Sequence, residues 1–92
     1  MTPAAVGRLL VLVARGAGVV AMAPVSDEDE VQVDLLDRAN GAEAATLRAE
    51  RGGASWRVSL AGVSWSSVPD NADSICEAAG GLLAAWLAAR TE

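Results

Sequence analysis

The sequence predicts a two-layer α+β domain. An antiparallel meander of three or four strands carries an N-terminal and a C-terminal helix on one face, in the order α-β-β-β-(β)-α. Three observations predict it. Ser55 to Leu60 alternates strictly, with Trp56, Val58 and Leu60 to one side and Ser55, Arg57 and Ser59 to the other, the pattern of a strand with one dry and one wet face. Two more alternating stretches precede it, Val31 to Leu35 and Ala45 to Glu50. Apolar residues at helical spacing stand at both ends of the chain, and helices gathered on one face of such a sheet give a two-layer domain.

The first helix opens at Thr2-Pro3, a capping hydroxyl followed by proline at the first helical position. Val6, Leu9, Leu10 and Val13 keep the helical period, and Gly16 and Gly18 supply a stop. The rival reading of residues 3–17 is a strand buried on both faces. Arg8, the apolar run and Ala21-Met22-Ala23 also imitate a secretory leader, but Arg15 interrupts the run and Pro24 follows the would-be cut. The same arginine argues against a membrane span. The segment is therefore read as part of the domain.

Val19 to Ala23 is a first short strand ended by Pro24, and Ser26 to Glu30 is an acidic turn. Counted as a calcium loop from Asp27, the turn has Val31 and Gln32 where an oxygen ligand and a glycine are required. A solvated turn is the expectation, and no metal ligand set is assigned.

Three meander strands follow. Gly52-Gly53 is expected to turn the second hairpin, setting Ala49 opposite Trp56, Leu47 opposite Val58 and Ala45 opposite Leu60. In that register Arg48 and Arg57 stand opposite each other on the polar face, a candidate site for an acidic partner unless Glu50 and Asp34 screen them. In the first hairpin a two-residue Asn40-Gly41 loop would set Leu47 against Asp34. A three-residue loop, Ala39-Asn40-Gly41, pairs Leu35 with Ala45 and Val33 with Leu47 instead and keeps the apolar face whole. After Leu60, Val63 and Trp65 either return through a tight Ala61-Gly62 turn or continue past a bulge at Gly62. The pattern allows both. Val68-Pro69 closes the segment, because the residue before proline avoids helix.

The last helix starts at Asp70 or Asn71, or one turn later at Ser74, where Ser74-Ile75-Cys76-Glu77 fits a capping box. Its acids lie early and Arg90 late, as the macrodipole favours. Ile75, Ala79, Leu82, Trp86 and Ala89 form its inner stripe, widened by Leu83 and Leu87, while Ala84, Ala85 and Ala88 leave the opposite side almost without charge. Such a helix is normally covered on more than one side. Gly80-Gly81 costs about 1 kcal/mol per glycine relative to alanine in mid-helix. Either another backbone crosses closely there or the helix breaks.

Composition bounds function. A chain of 92 residues makes one small domain, 1–92, and its 52% apolar content rests on Ala, Val and Leu, with no Phe or Tyr and only three Trp. A core of small side chains buries little area, so marginal stability and a second copy or protein partner are expected. A net charge of -5 is opposite to the basic face that nucleic acids require. All seven cations are Arg, a usage that points to a GC-rich bacterial origin. Without His, Lys or Tyr, the usual general base, Schiff-base amine and phenolic acid are missing. No catalytic residue, cofactor or metal site is assigned, and a non-enzyme is expected. One cysteine, Cys76, forms no internal disulfide and is read as a small buried hydrophobe of a cytoplasmic protein.

The element order is similar to that of double-stranded RNA-binding domains, with Trp56-Arg57-Val58-Ser59-Leu60 in a comparable strand before the final helix. That family opens its last helix with a basic cluster that reads phosphates. Here the matching residues are Asp70-Asn71-Ala72-Asp73-Ser74, so the resemblance extends to topology alone. The functional expectation is a non-catalytic protein-interaction module (adaptor, regulator or chaperone-like), self-associating as a homodimer through the last helix. Trp65, Gly80, Gly81, Ala84, Ala88, Arg48 and Arg57 are its candidate contact residues. The alternative is an acidic inhibitor or immunity-type protein that docks Asp27 to Glu30 and the acidic helix start on a basic partner.

Overall fold

In the computed structural model, which describes residues 1–36 and 43–90, helix α1 spans Pro3–Gly16 and helix α2 spans Ala72–Arg90. Between them run β1 (Val20–Ala21), β2 (Val25–Ser26), β3 (Glu30–Leu36), β4 (Glu43–Gly52), β5 (Ser55–Leu60) and β6 (Val63–Pro69). All pairings are antiparallel, in the order β1-β3-β4-β5-β6, and β2 pairs β3 beside β1. Both helices cover one face of the sheet, α1 over β1 to β4 and α2 over β5 and β6, and they also touch each other. The expected α+β architecture is present, with the meander four strands long.

Local chemistry places both helices. Thr2 Oγ1 accepts the Ala5 amide at 3.2 Å, with Pro3 opening α1. Asn71 Oδ1 accepts the Ser74 amide at 2.8 Å and so caps α2, and the capping box at Ser74 is not used. Val6, Leu10 and Ala14 of α1 and Ile75, Ala78, Ala79, Leu82 and Leu83 of α2 meet Val31, Val33, Leu35, Leu47, Trp56, Val58 and Leu60 in one core. Gly7 lets α1 lie against the sheet edge, because a Cβ there would stand 2.8 Å from Pro24 Cβ and from Val31 Cγ2.

Register is where expectation and structure part. In the first hairpin Leu35 faces Ala45 and Val33 faces Leu47, as the apolar face demands. The loop expected at Ala39-Asn40-Gly41 lies outside the described residues. In the second hairpin Leu47 faces Leu60, Ala49 faces Val58 and Arg51 faces Trp56. The turn is therefore Gly53-Ala54, with Gly53 at φ 67, one residue later than Gly52-Gly53. Moving the turn by one residue shifts the pairing by two, which leaves every side chain on its own face. In the third hairpin Leu60 faces Val63 and Val58 faces Trp65, so the chain returns through Ala61-Gly62, whose φ values are 52 and 83. A bulge follows, with Ser67 at φ 57, and Trp56 faces Val68 beyond it.

Helix α2 runs unbroken through Gly80 and Gly81, and no backbone of the described residues crosses there. The indole of Trp65 takes the space instead: a Cβ on Gly81 would lie 2.8 Å from its Cζ2. Gly80 has no such reason, since its nearest neighbour is Val13 Cγ1 at 4.0 Å. Along α2 one assignment changes, that of Ala89 to the inner stripe, and one residue without an assignment, Ala78, joins the core. Ala78 is buried and Ala89 exposed, because the buried arc centres on the side of Ile75, Ala79 and Leu82.

Candidate functional site

The two edges of the sheet are finished differently. On the β3 side the edge consists of two-residue strands on either side of Met22-Ala23-Pro24, followed by the acidic turn. Short strands, proline and charge are the usual means of discouraging edge pairing. On the other side β6 runs for seven residues, Val63 to Pro69, without one ionisable side chain. Only its second half is blunted, by the bulge at Ser67 and by Pro69. Among the described residues, Val63 to Ser66 pairs on the β5 side alone.

Side chains along this edge are apolar on the helix side. Val63 and Trp65 lie on the same sheet face as Leu60 and Val58, yet are 55% and 42% exposed. Val63 forms one wall of an apolar crevice of about 240 Å³, opposite Leu82, Ala85, Trp86 and Ala89 of α2. Gly81, Ala85 and Ala89 follow at helical spacing on the flank of α2 that overlooks β6, with the Trp65 ring laid against Gly81. The result is a strip of open backbone, two partly exposed apolar side chains and a helix flank of glycine and alanine.

The opposite sheet face is polar and largely self-neutralised. Arg48 Nε lies 3.2 Å from Glu30 Oε1, and an Arg48 terminal nitrogen lies 3.6 Å from Glu50 Oε1. Thr46 donates to Asp34 across the strands at 3.0 Å, and Gln32 donates to Glu30 at 2.6 Å. Arg48 and Arg57 do not face each other, which corrects the expected like-charge pair: Arg48 faces Ser59, and Arg57 faces Glu50. The shallow cleft of about 370 Å³ on this face holds both arginines together with Glu50, so its charge is mixed.

At the end of the sheet, Asp70 receives the Met1 ammonium at 2.7 Å and the Trp56 indole N–H at 2.8 Å. Arg51 lies over the Trp56 ring, 4.8 Å from its centre, and donates to the Met1 carbonyl. The ammonium first and the indole second hold the Asp70 carboxyl below its ordinary value. This cluster ties the N-terminus to the start of α2. Its polar atoms are engaged with one another.

The seven residues singled out from sequence fall in separate places. Trp65 and Gly81 come together at the β6 edge. Gly80 faces α1, Ala84 and Ala88 lie exposed on α2, and Arg48 and Arg57 belong to the far face of the sheet. Val63, Ser64, Ala85 and Ala89 were not anticipated. The signal for the first two was present, as an alternating segment with no charge between Leu60 and Pro69. Cys76 is half-buried in the first turns of α2. Among the described residues, no group of three or more Cys, Asp or Glu is placed to hold a metal ion. No helix among them is long and apolar enough to cross a membrane. Comparison with known proteins found no matching family model, no matching curated protein and no matching solved structure.

Proposed function

We propose that this chain is a non-catalytic protein-interaction module, an adaptor or regulator in its cell, that works by adding a strand at β6 and self-associates there. The observation that carries the reading is the contrast between the edges: one is interrupted by proline and flanked by acids, and the other offers four open residues without a charge. Main-chain groups at such an edge supply affinity, and the pockets beside it supply selectivity. The surface differs from the one expected from sequence. The helix contributes its flank beside β6, and the strand contributes the bonding groups.

Sedimentation velocity across micromolar concentrations tests this. The unmodified chain is expected to move from monomer toward dimer, and Ser64→Lys, which sets a charge in the middle of the edge, is expected to remain monomeric. A monomer throughout the range for both would remove the self-association reading.

A second reading is supported by Asp27, Glu28 and Asp29, all exposed in the turn before β3. An acidic projection of this kind suits an inhibitor of a basic protein, with association accelerated by opposite charge and slowed by salt. Replacing the three with Asn, Gln and Asn without changing salt-dependent capture of a basic partner would dispose of it.

A further inference from the structure

We infer that the occupant of the β6 edge is a second copy of the same chain, the two β6 strands pairing antiparallel about a two-fold axis at Ser64. This rests on the edge reading above and adds the partner and the register. A two-residue hairpin closes on a doubly bonded pair, here Leu60 with Val63, and the alternation of the ladder then turns the Ser64 peptide groups to the open side. Pairing Ser64 with Ser64 satisfies that alternation. It also sets Val63 of each copy against Trp65 of the other on the helix side, so the two exposed apolar residues of the strand cover each other. A register shifted by one would place Trp65 against a serine of the wet face.

Charge selects the same strip. Each chain carries -5, so two copies repel and meet most easily where no ionised groups are opposed. Val63 to Val68 has none, whereas the turn before β3 would set Asp27, Glu28 and Asp29 against like residues. The helices fit as well. Because α2 rides over both β5 and β6, and strands are spaced about 4.8 Å apart, a two-fold at β6 brings the two helices to about 10 Å, an ordinary helix-packing distance. Gly81, Ala85 and Ala89 leave room at that distance for the two Trp65 rings. The bulge at Ser67 ends the ladder after Ser66, so the pairing is short and its strength depends on Val63 and Trp65.

Ser64→Cys in a Cys76→Ala background tests the register, with Ser26→Cys on the other edge in the same background as control. Both are oxidised mildly and treated in parallel with a short bis-maleimide, and covalent dimer is read by mass and non-reducing electrophoresis. Sedimentation of the unmodified chain accompanies them. The expected result is at least tenfold more covalent dimer from Ser64→Cys than from Ser26→Cys. A dimer in sedimentation with no excess crosslinking at Ser64 would overturn the register and leave self-association standing. Absence of any dimer would overturn the register and the self-association reading together.

Discussion

Asp70, the residue before the Asn71 cap, holds two groups that are distant from it in sequence, the Met1 ammonium and the Trp56 indole. Both donors favour its ionised form, so its pKa is lowered on folding, the ammonium contributing most. A carboxyl with a lowered folded-state pKa adds stability above its unfolded value and loses it as pH falls through the folded one. Asp70→Asn keeps an acceptor for the indole and removes the charge. Denaturation curves should therefore show the variant less stable at neutral pH and equal to the parent in strong acid. A difference that persists unchanged in acid would mean that Asp70 acts through packing. The sequence offered Asp70 only as a helix cap. Its bond to Trp56 depends on the end of β6 reaching β5, and no spacing rule contains that.

At the scale of elements, the paired glycines of α2 show what periodicity can and cannot convey. A penalty at Gly80-Gly81 was legible, but the way it is offset was not, because the offset comes from a side chain on another element. Gly81→Ala collides with the Trp65 ring, and Gly80→Ala meets nothing closer than 4.0 Å. Gly80→Ala should accordingly stabilise the chain by about 1 kcal/mol. Gly81→Ala should give no such gain in the parent and recover it in a Trp65→Ala background, a coupling that a double-mutant cycle in denaturant measures. Equal gains at both positions in the parent would show that the ring does not hold the site. The β4–β5 register had a similar limit. Shifts by two preserve the faces, so hydrophobic alternation could not choose between Gly52-Gly53 and Gly53-Ala54. Electrostatics would have chosen, since the observed turn sets Glu50 opposite Arg57 where the other sets Arg48 there.

For the whole molecule, the layer order and the covered face followed from three alternating strands and apolar residues at helical spacing at both ends, and the structure has both. The surface we assign to association was only partly visible. Trp65 and the charge-poor helix stood out, but the sequence left open whether residues 63–67 return as a strand, and with it the existence of an edge. An edge is a property of sheet order, which emerges only when every strand has its neighbours. With β6 outermost, the Ser64 peptide groups point to the open side beside an apolar crevice, while the opposite edge is broken by Pro24.

Amide exchange at Ser64, followed by NMR as protein concentration is raised, reads that edge most directly. If β6 adds a strand from a second copy, the Ser64 amide slows with concentration in the parent and stays fast in Ser64→Lys at position 64, while amides within β4 stay the same in both. A Ser64 amide that exchanges at one fast rate across the whole concentration range would contradict the account.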